Sequence, residues 1–114
     1  MRRVVAMGRK NLQNLTVKHF DFLQESYGFK YNELSHRYLK SELEIEVTHK
    51  SGELNVFFVS KNKTKSLVKV LSELLKKEFT YPSYFSPLVF SMGDVDSRLA
   101  YDAKLIKEYA KDIL

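Results

Sequence analysis

The stretch that decides the fold runs from Phe20 to Val59, and its hydrophobic period changes at a glycine. It begins with the end of an amphipathic helix, which stops at Tyr27-Gly28-Phe29. Apolar and polar residues then alternate through Ser41-Glu-Leu-Glu-Ile-Glu-Val-Thr48 and Glu53-Leu-Asn-Val-Phe-Phe-Val59. Alternation of this kind is typical of strands with one buried and one solvated face. The stretch therefore predicts an α+β domain, in which a helix precedes an antiparallel meander.

The helix is predicted over residues 15–27. Val17, Phe20 and Leu23 recur on one face at helical spacing. Gly28 follows directly, and glycine suits the left-handed conformation that commonly ends a helix. The chain from Gly28 onwards is therefore free to enter the sheet.

The meander is predicted to contain three or four strands. A first strand covers residues 29–33, and a short second strand covers residues 36–39. The two long alternating strands meet at a turn over residues 50–52. Pairing Val47 with Leu54 places the apolar residues of both long strands on the same face.

Two further helices are predicted after the sheet, and they should pack on one of its faces. Residues 60–65 form a polar, lysine-rich loop, and a helix with a leucine stripe follows over residues 66–79. A last helix begins at Asp94 and reaches about Ile113. The predicted core has ten members: Phe20, Leu23, Leu43, Ile45, Val47, Val56, Leu71, Leu74, Leu99 and Ile106.

Residues 79–93, hereafter the aromatic segment, depart from this pattern. They carry no charge, five aromatic residues and both prolines of the chain. Prolines at positions 82 and 87 exclude a regular helix. The segment is either an ordered loop that packs its rings over the sheet or a partly exposed aromatic surface that binds a protein. Four of its residues are candidate partner contacts: Tyr81, Tyr84, Phe85 and Phe90.

Composition limits the classes of function. The chain has 114 residues, of which 44% are hydrophobic and 13% aromatic, which predicts a packed globular protein. It has no cysteine, so disulfide scaffolds, thiolate zinc sites and cysteine nucleophiles are excluded. No apolar run approaches the roughly 18 residues of a membrane span. We therefore expect a cytoplasmic protein with no membrane partner.

The net charge of +5 is concentrated at the start of the chain. Arg2, Arg3, Arg9 and Lys10 give the first ten residues a charge of +4 with no acid, which leaves +1 for all the others. We interpret residues 1–14 as a basic flexible arm and residues 15–114 as one α+β domain. The uneven charge weakens a nucleic-acid interpretation of the high pI.

Motifs for catalysis and ligand binding are missing from the sequence. The three histidines lack metal-ligand spacing, and no GxSxG, GxxxxGK[ST] or GxGxxG occurs. Glu42, Glu44 and Glu46 recur at strand spacing, which indicates the solvated face of a sheet rather than an acid–base cluster. We expect no catalytic residue, no cofactor and no bound metal.

A second basic region follows the meander. Lys61, Lys63, Lys65 and Lys69 occur with no acid between Glu53 and Glu73. They form either a solvated loop and helix start or a surface that contacts a partner. The first three complete the set of candidate partner contacts.

The order of motifs resembles small bacterial proteins of the immunity-protein type. Those proteins open with a helix that ends in a motif like Phe20-Asp-Phe-Leu-Gln-Glu-Ser-Tyr-Gly-Phe-Lys-Tyr31, and continue with a glutamate-rich strand and a strand like Gly52-Glu-Leu54. They close with a helix like Tyr109-Ala-Lys-Asp-Ile-Leu114. The resemblance covers residues 16–114. It implies a protein that binds and neutralises a partner, often a toxin, and it supplies no site residues.

The sequence thus favours a non-catalytic protein-binding module, with an immunity-type role as its specific form and a homodimer as a further option. The alternatives are a small basic nucleic-acid-binding protein and an enzyme of unrecognised type. Salt-sensitive binding to DNA or RNA would distinguish the first alternative, and a deep pocket with converging polar groups would distinguish the second.

Overall fold

A computed structural model describes residues 9–114, with side chains from Lys10 onwards. The elements in chain order are α1 (Arg9–Phe20), α2 (Phe22–Tyr27), β1 (Lys30–Asn32), β2 (Arg37–Lys40), β3 (Leu43–Lys50), β4 (Glu53–Ser60), β5 (Lys63–Ser66), α3 (Leu67–Leu75), α4 (Met92–Tyr109) and a 3₁₀ turn (Lys111–Ile113). Within this range, no helix combines the length and the apolar character that crossing a bilayer requires.

The α+β class and the antiparallel meander are confirmed. The strands lie in the order β1-β2-β3-β4-β5, and every neighbouring pair is antiparallel. The strand number is five rather than three or four, because β5 occupies part of the predicted loop at residues 60–65. β5 has no apolar residue and thus no hydrophobic period. It is held by pairing with β4 across a two-residue turn, in which Lys61 and Asn62 both adopt positive φ.

The register of β3 and β4 differs from the predicted one by two residues. Val47 pairs with Val56, and Leu54 pairs with His49. The turn contains only Ser51 and Gly52, both at positive φ, and not Lys50, which was predicted to belong to it. Lys50 is instead the last residue of β3 and pairs with Glu53. Because side chains alternate with a period of two, a shift of two leaves the apolar residues on one face.

The helices cover that face of the sheet and enclose the core. Eight of the ten predicted core residues are buried, and Leu43 is half-buried at the margin. Leu74 is 39% exposed, so its prediction was wrong. It follows the buried residues Leu67, Val70 and Leu71 on α3, but it lines an open groove at the end of that helix.

The start of the helical region also required correction. Helix α1 begins at Arg9, so residues 9–14 of the predicted arm are helical, and residues 1–8 lie outside the described range. The predicted single helix over residues 15–27 is two helices that meet at Asp21. Gly28 adopts φ +79°, as its position after the helix predicts.

Serine side chains cap the two later helices, α3 and α4. The hydroxyl oxygen of Ser66 accepts from the amide of Lys69 at the start of α3. Ser91 accepts from the amide of Asp94, so α4 begins before the predicted Asp94. Both helices end sooner than predicted, α3 at Leu75 and α4 at Tyr109.

Candidate partner-binding surfaces

The aromatic segment is fastened to the turn between β3 and β4. The amide of Val89 donates to the carbonyl oxygen of Gly52 at 2.8 Å. His49 Nε2 lies 2.6 Å from the carbonyl oxygen of Val89, and because a carbonyl can only accept, the ring donates from Nε2. Val89 itself is buried. These bonds give the end of the segment a defined position on the hairpin.

Gly52 is required in this arrangement for two reasons. It adopts φ +83°, and a Cβ atom built there would lie 2.5 Å from Cζ of Phe90. The ring of Phe90 therefore rests directly on the backbone of the turn. A side chain at position 52 would both strain the backbone and displace the ring.

The other end of the segment is held by a buried polar group. The hydroxyl of Tyr81 donates to Asp102 Oδ1 at 2.6 Å, and the Arg98 guanidinium stacks 3.8 Å above the Tyr81 ring. Arg98 Nη2 also donates to the carbonyl oxygen of Leu54, which ties α4 to β4. The three side chains thus connect the segment, the last helix and the sheet.

Burial sets the proton affinities in this group. Asp102 is 1% exposed, and burial raises its pKa to about 6, against the opposing effects of the Tyr81 hydrogen bond and the Arg98 charge. Burial and the neighbouring Asp102 carboxylate both raise the pKa of Tyr81. Asp102 Oδ2 and Arg98 Nε have no hydrogen-bond partner within the described residues. Arg98 Nε lies 3.6 Å from Asp102 Oδ1, which is an ion pair without a hydrogen bond.

The rings of the segment divide into an inner and an outer set. Phe85 packs against Tyr81 and, at 4.9 Å between centroids, against Tyr101 of α4. Tyr84 stacks on the outside of Phe85 at 4.8 Å and is 76% exposed, and Phe90 is 61% exposed. The segment is therefore an ordered loop with a partly exposed aromatic surface, since Tyr81 packs against the core and Phe85 against Tyr81 and Tyr101, while Tyr84 and Phe90 face solvent.

The three candidate lysines border a different feature, hereafter the lysine groove. It has a volume of about 600 Å³, and its lining consists of Leu43, Phe58, Ser60, Lys61, Lys63, Lys65, Val70, Glu73, Leu74 and Ile113. Lys65 Nζ lies 2.9 Å from Glu73, and Lys61 Nζ lies 4.0 Å from Glu42. The hydrogen bond from Lys65 lowers the pKa of Glu73.

The aromatic segment and the lysine groove do not form one site. The segment is hydrogen-bonded to the turn at Gly52 and lines a cleft together with Leu54 of β4, whereas the groove is lined by Phe58 and Ser60 at the other end of the same strand. At about 3.3 Å per residue, Leu54 and Ser60 are separated by roughly 20 Å. The seven candidate residues are thus divided between two surfaces.

The predicted glutamate face is present on the side of the sheet away from the core. Glu44 and Glu46 pair across the sheet with Arg37, at 2.6 and 3.2 Å, and the hydrogen bond that Arg37 donates to Glu44 raises the pKa of Arg37. Glu42 lies in the turn before β3, outside the row that strand spacing suggested. Among residues 9–114, no three His, Asp or Glu side chains are grouped so that they could hold a metal ion.

The Arg98–Asp102 pair was not predicted from the sequence. The signal was present, because opposite charges four residues apart lie on the same face of α4 as Leu99 and Ile106. Charged residues on an apolar helix face are buried only when they are paired.

Comparison with protein-family models, with curated proteins and with solved structures yields no match to this chain.

Proposed function

We propose that this protein is a non-catalytic protein-binding module and that the outer side of its aromatic segment contacts the partner. One observation carries the proposal: an uncharged segment is anchored through Tyr81 and Val89, yet exposes Tyr84 and Phe90. Leu88 and Met92 are also more than 40% exposed in the same stretch. Anchored aromatic and methionine side chains without neighbouring charge are typical of the centres of protein interfaces.

The specific form of the proposal is an immunity-type protein that neutralises a toxin in the cytoplasm. The order of motifs over residues 16–114 supports it, as does the absence of catalytic motifs from the sequence. Because the exposed rings rest on a fixed loop, little conformational entropy would be lost on binding. A second copy of the chain is a possible partner for the same surface.

A site-specific photo-crosslinker tests where the partner binds. Benzoylphenylalanine in place of Tyr84 should capture a defined partner in extracts of the native host. The matched control places the same group at Leu34, which is 94% exposed in the turn after β1 and lies outside the segment. Equal capture of the same protein from both positions would contradict the proposed surface.

The captured partner then permits a quantitative test. Tyr84→Ser combined with Phe90→Ser should weaken its binding by roughly tenfold or more, because aromatic anchors contribute most of the energy of such interfaces. Leu34→Ser should leave the affinity unchanged. If the partner is a toxin, co-expression should restore growth with the native chain and with Leu34→Ser, but less effectively with the double variant. Unchanged affinity of the double variant would refute the proposal.

The nucleic-acid alternative has weaker support from the arrangement of charges. Lys61 and Lys65 are already paired with Glu42 and Glu73, which reduces the charge available to phosphates. The apolar side chains that line the groove also offer a phosphate neither positive charge nor hydrogen-bond donors. Binding to DNA or RNA that weakens steeply with salt and is lost on changing Lys63 and Lys69 would favour this alternative.

A further inference from the structure

The lysine groove is a second surface, and its floor is apolar. The helical layer leaves one end of the covered sheet face open, between the end of α3 and the 3₁₀ turn. Phe58 and Val70 form the buried base, and Leu74 and Ile113 are each about 40% exposed along the sides. An apolar occupant would cover side chains that solvent now contacts.

The rim of the groove carries an excess of positive charge. Of its three lysines, Lys65 donates to Glu73 and Lys61 lies 4.0 Å from Glu42, so the excess charge is that of Lys63. Lys63 is exposed and makes no ion pair with any described residue. A lysine stem is long and flexible, so its ammonium group can reach a ligand head at the mouth while its methylenes cover the chain. The rim therefore complements an anion, and the floor complements hydrocarbon.

The dimensions of the groove favour a small molecule. Its volume of about 600 Å³ lies within the roughly 300–1,000 Å³ of typical small-molecule sites. Nucleic acid would place phosphates on the lysines but would leave the apolar floor unused. A partner protein would need a contact area well beyond one groove of this size.

We propose that the lysine groove binds a free aliphatic carboxylate, with its chain along Phe58, Leu74 and Ile113 and its head beside Lys63. This ligand combines the two chemistries that the groove presents, and it requires no residue of the aromatic segment. The proposal is independent of the protein-binding function, because the two surfaces lie at opposite ends of β4.

Titration with dodecanoate monomers, followed by amide chemical shifts, tests the site. Residues of the groove should shift, whereas Tyr84 and its neighbours should not. Affinity should rise along the series hexanoate, octanoate, decanoate and dodecanoate, by up to about fourfold for each methylene that becomes fully buried. Dodecanol should bind more weakly than dodecanoate, and acetate should not bind measurably.

Two matched pairs of variants locate the head and the chain. Lys63→Gln should weaken dodecanoate binding about two- to fivefold, the range for an exposed ion pair, whereas Lys77→Gln, an equal charge change outside the groove, should not. Leu74→Ala should weaken binding and flatten the chain-length series, whereas Leu88→Ala should do neither. Unchanged thermal unfolding would confirm that each variant is folded.

Several outcomes would overturn the proposal. They include shifts that avoid the groove, an affinity independent of chain length, or equal effects of Lys63→Gln and Lys77→Gln. Binding to vesicles of anionic phospholipid without binding of dodecanoate monomers would assign the groove to a membrane surface instead. Shifts caused by an acidic amphipathic peptide but not by dodecanoate would assign it to a protein segment. Crosslinking at position 84 would be unaffected by any of these results.

Discussion

Asp102 is a single residue that should control how stability depends on pH. Its pKa is raised from 3.8 to about 6 by burial, so between these values the folded state holds a proton that the unfolded state has lost. The groups that face it are the neutral Tyr81 hydroxyl, which donates to it, and the positively charged Arg98 guanidinium. The contribution of this carboxyl to the free energy of unfolding is therefore greatest at low pH, and it falls as pH rises from about 4 to about 6.

Asp102→Asn removes this titration and keeps an oxygen that can accept from Tyr81. The free energy of unfolding of the native chain, minus that of the variant, should fall by about 3 kcal/mol between pH 4 and pH 7. Urea unfolding at several pH values measures the difference. Glu73 and Asp96, whose pKa values are lowered by their lysine and histidine partners, cancel because both chains contain them. A difference that does not change with pH would contradict the assignment.

Gly52→Ala tests the close contact between the β3–β4 turn and the aromatic segment. The positive φ alone should cost about 1 kcal/mol, and the displaced Phe90 ring should add to that cost. In a chain that already carries Phe90→Ala, the cost of Gly52→Ala should fall to the backbone contribution. Thermal or urea unfolding of the four variants gives the coupling. Simple additivity would mean that Phe90 does not rest on Gly52 in solution.

At the scale of elements, the turn before β5 holds two non-glycine residues at positive φ. Lys61 adopts φ 46° and Asn62 adopts φ 68°, the geometry for which Asn-Gly is the preferred sequence. Asn62→Gly should therefore stabilise the chain by up to about 1 kcal/mol. It should also slow hydrogen exchange in β5, whose backbone ladder among the described strands is with β4. Lys61→Gly, at the other positive-φ position, should act in the same direction, and no stabilisation by either variant would contradict the prediction.

The same elements show what the sequence could and could not predict. β3 and β4 were predicted correctly because residues that face the helices must be apolar. This requirement produces alternating apolar and polar residues in the sequence. β5 was missed because its fold is decided by backbone pairing and a turn, which leave the side chains Lys-Thr-Lys-Ser unconstrained. The aromatic segment was recognised from its composition, but only packing decides that Tyr81 faces inward and Tyr84 outward. Leu74 was assigned to the core because periodicity gives the direction of a side chain and not whether anything covers it.

At the scale of the whole molecule, a five-stranded open sheet has two edges, and one of them is β5. Its outer edge offers unpaired backbone groups over residues 63–66, which could pair with the same edge of a second copy. Lys63 and Lys65 oppose that pairing, because an antiparallel dimer would bring four ammonium groups together. We therefore expect the rim charges that suit an anionic ligand also to oppose self-association through this edge.

Removing those charges should make the molecule associate. Lys63→Thr combined with Lys65→Thr keeps the strand propensity of β5 and deletes its repulsion, so a concentration-dependent dimer should appear in sedimentation velocity. Lys69→Thr combined with Lys77→Thr lowers the net charge equally without touching the edge, and its association state should match that of the native chain. If both double variants associate to the same extent, net charge rather than edge protection governs self-association. If neither does, lysine repulsion does not control self-association at this edge.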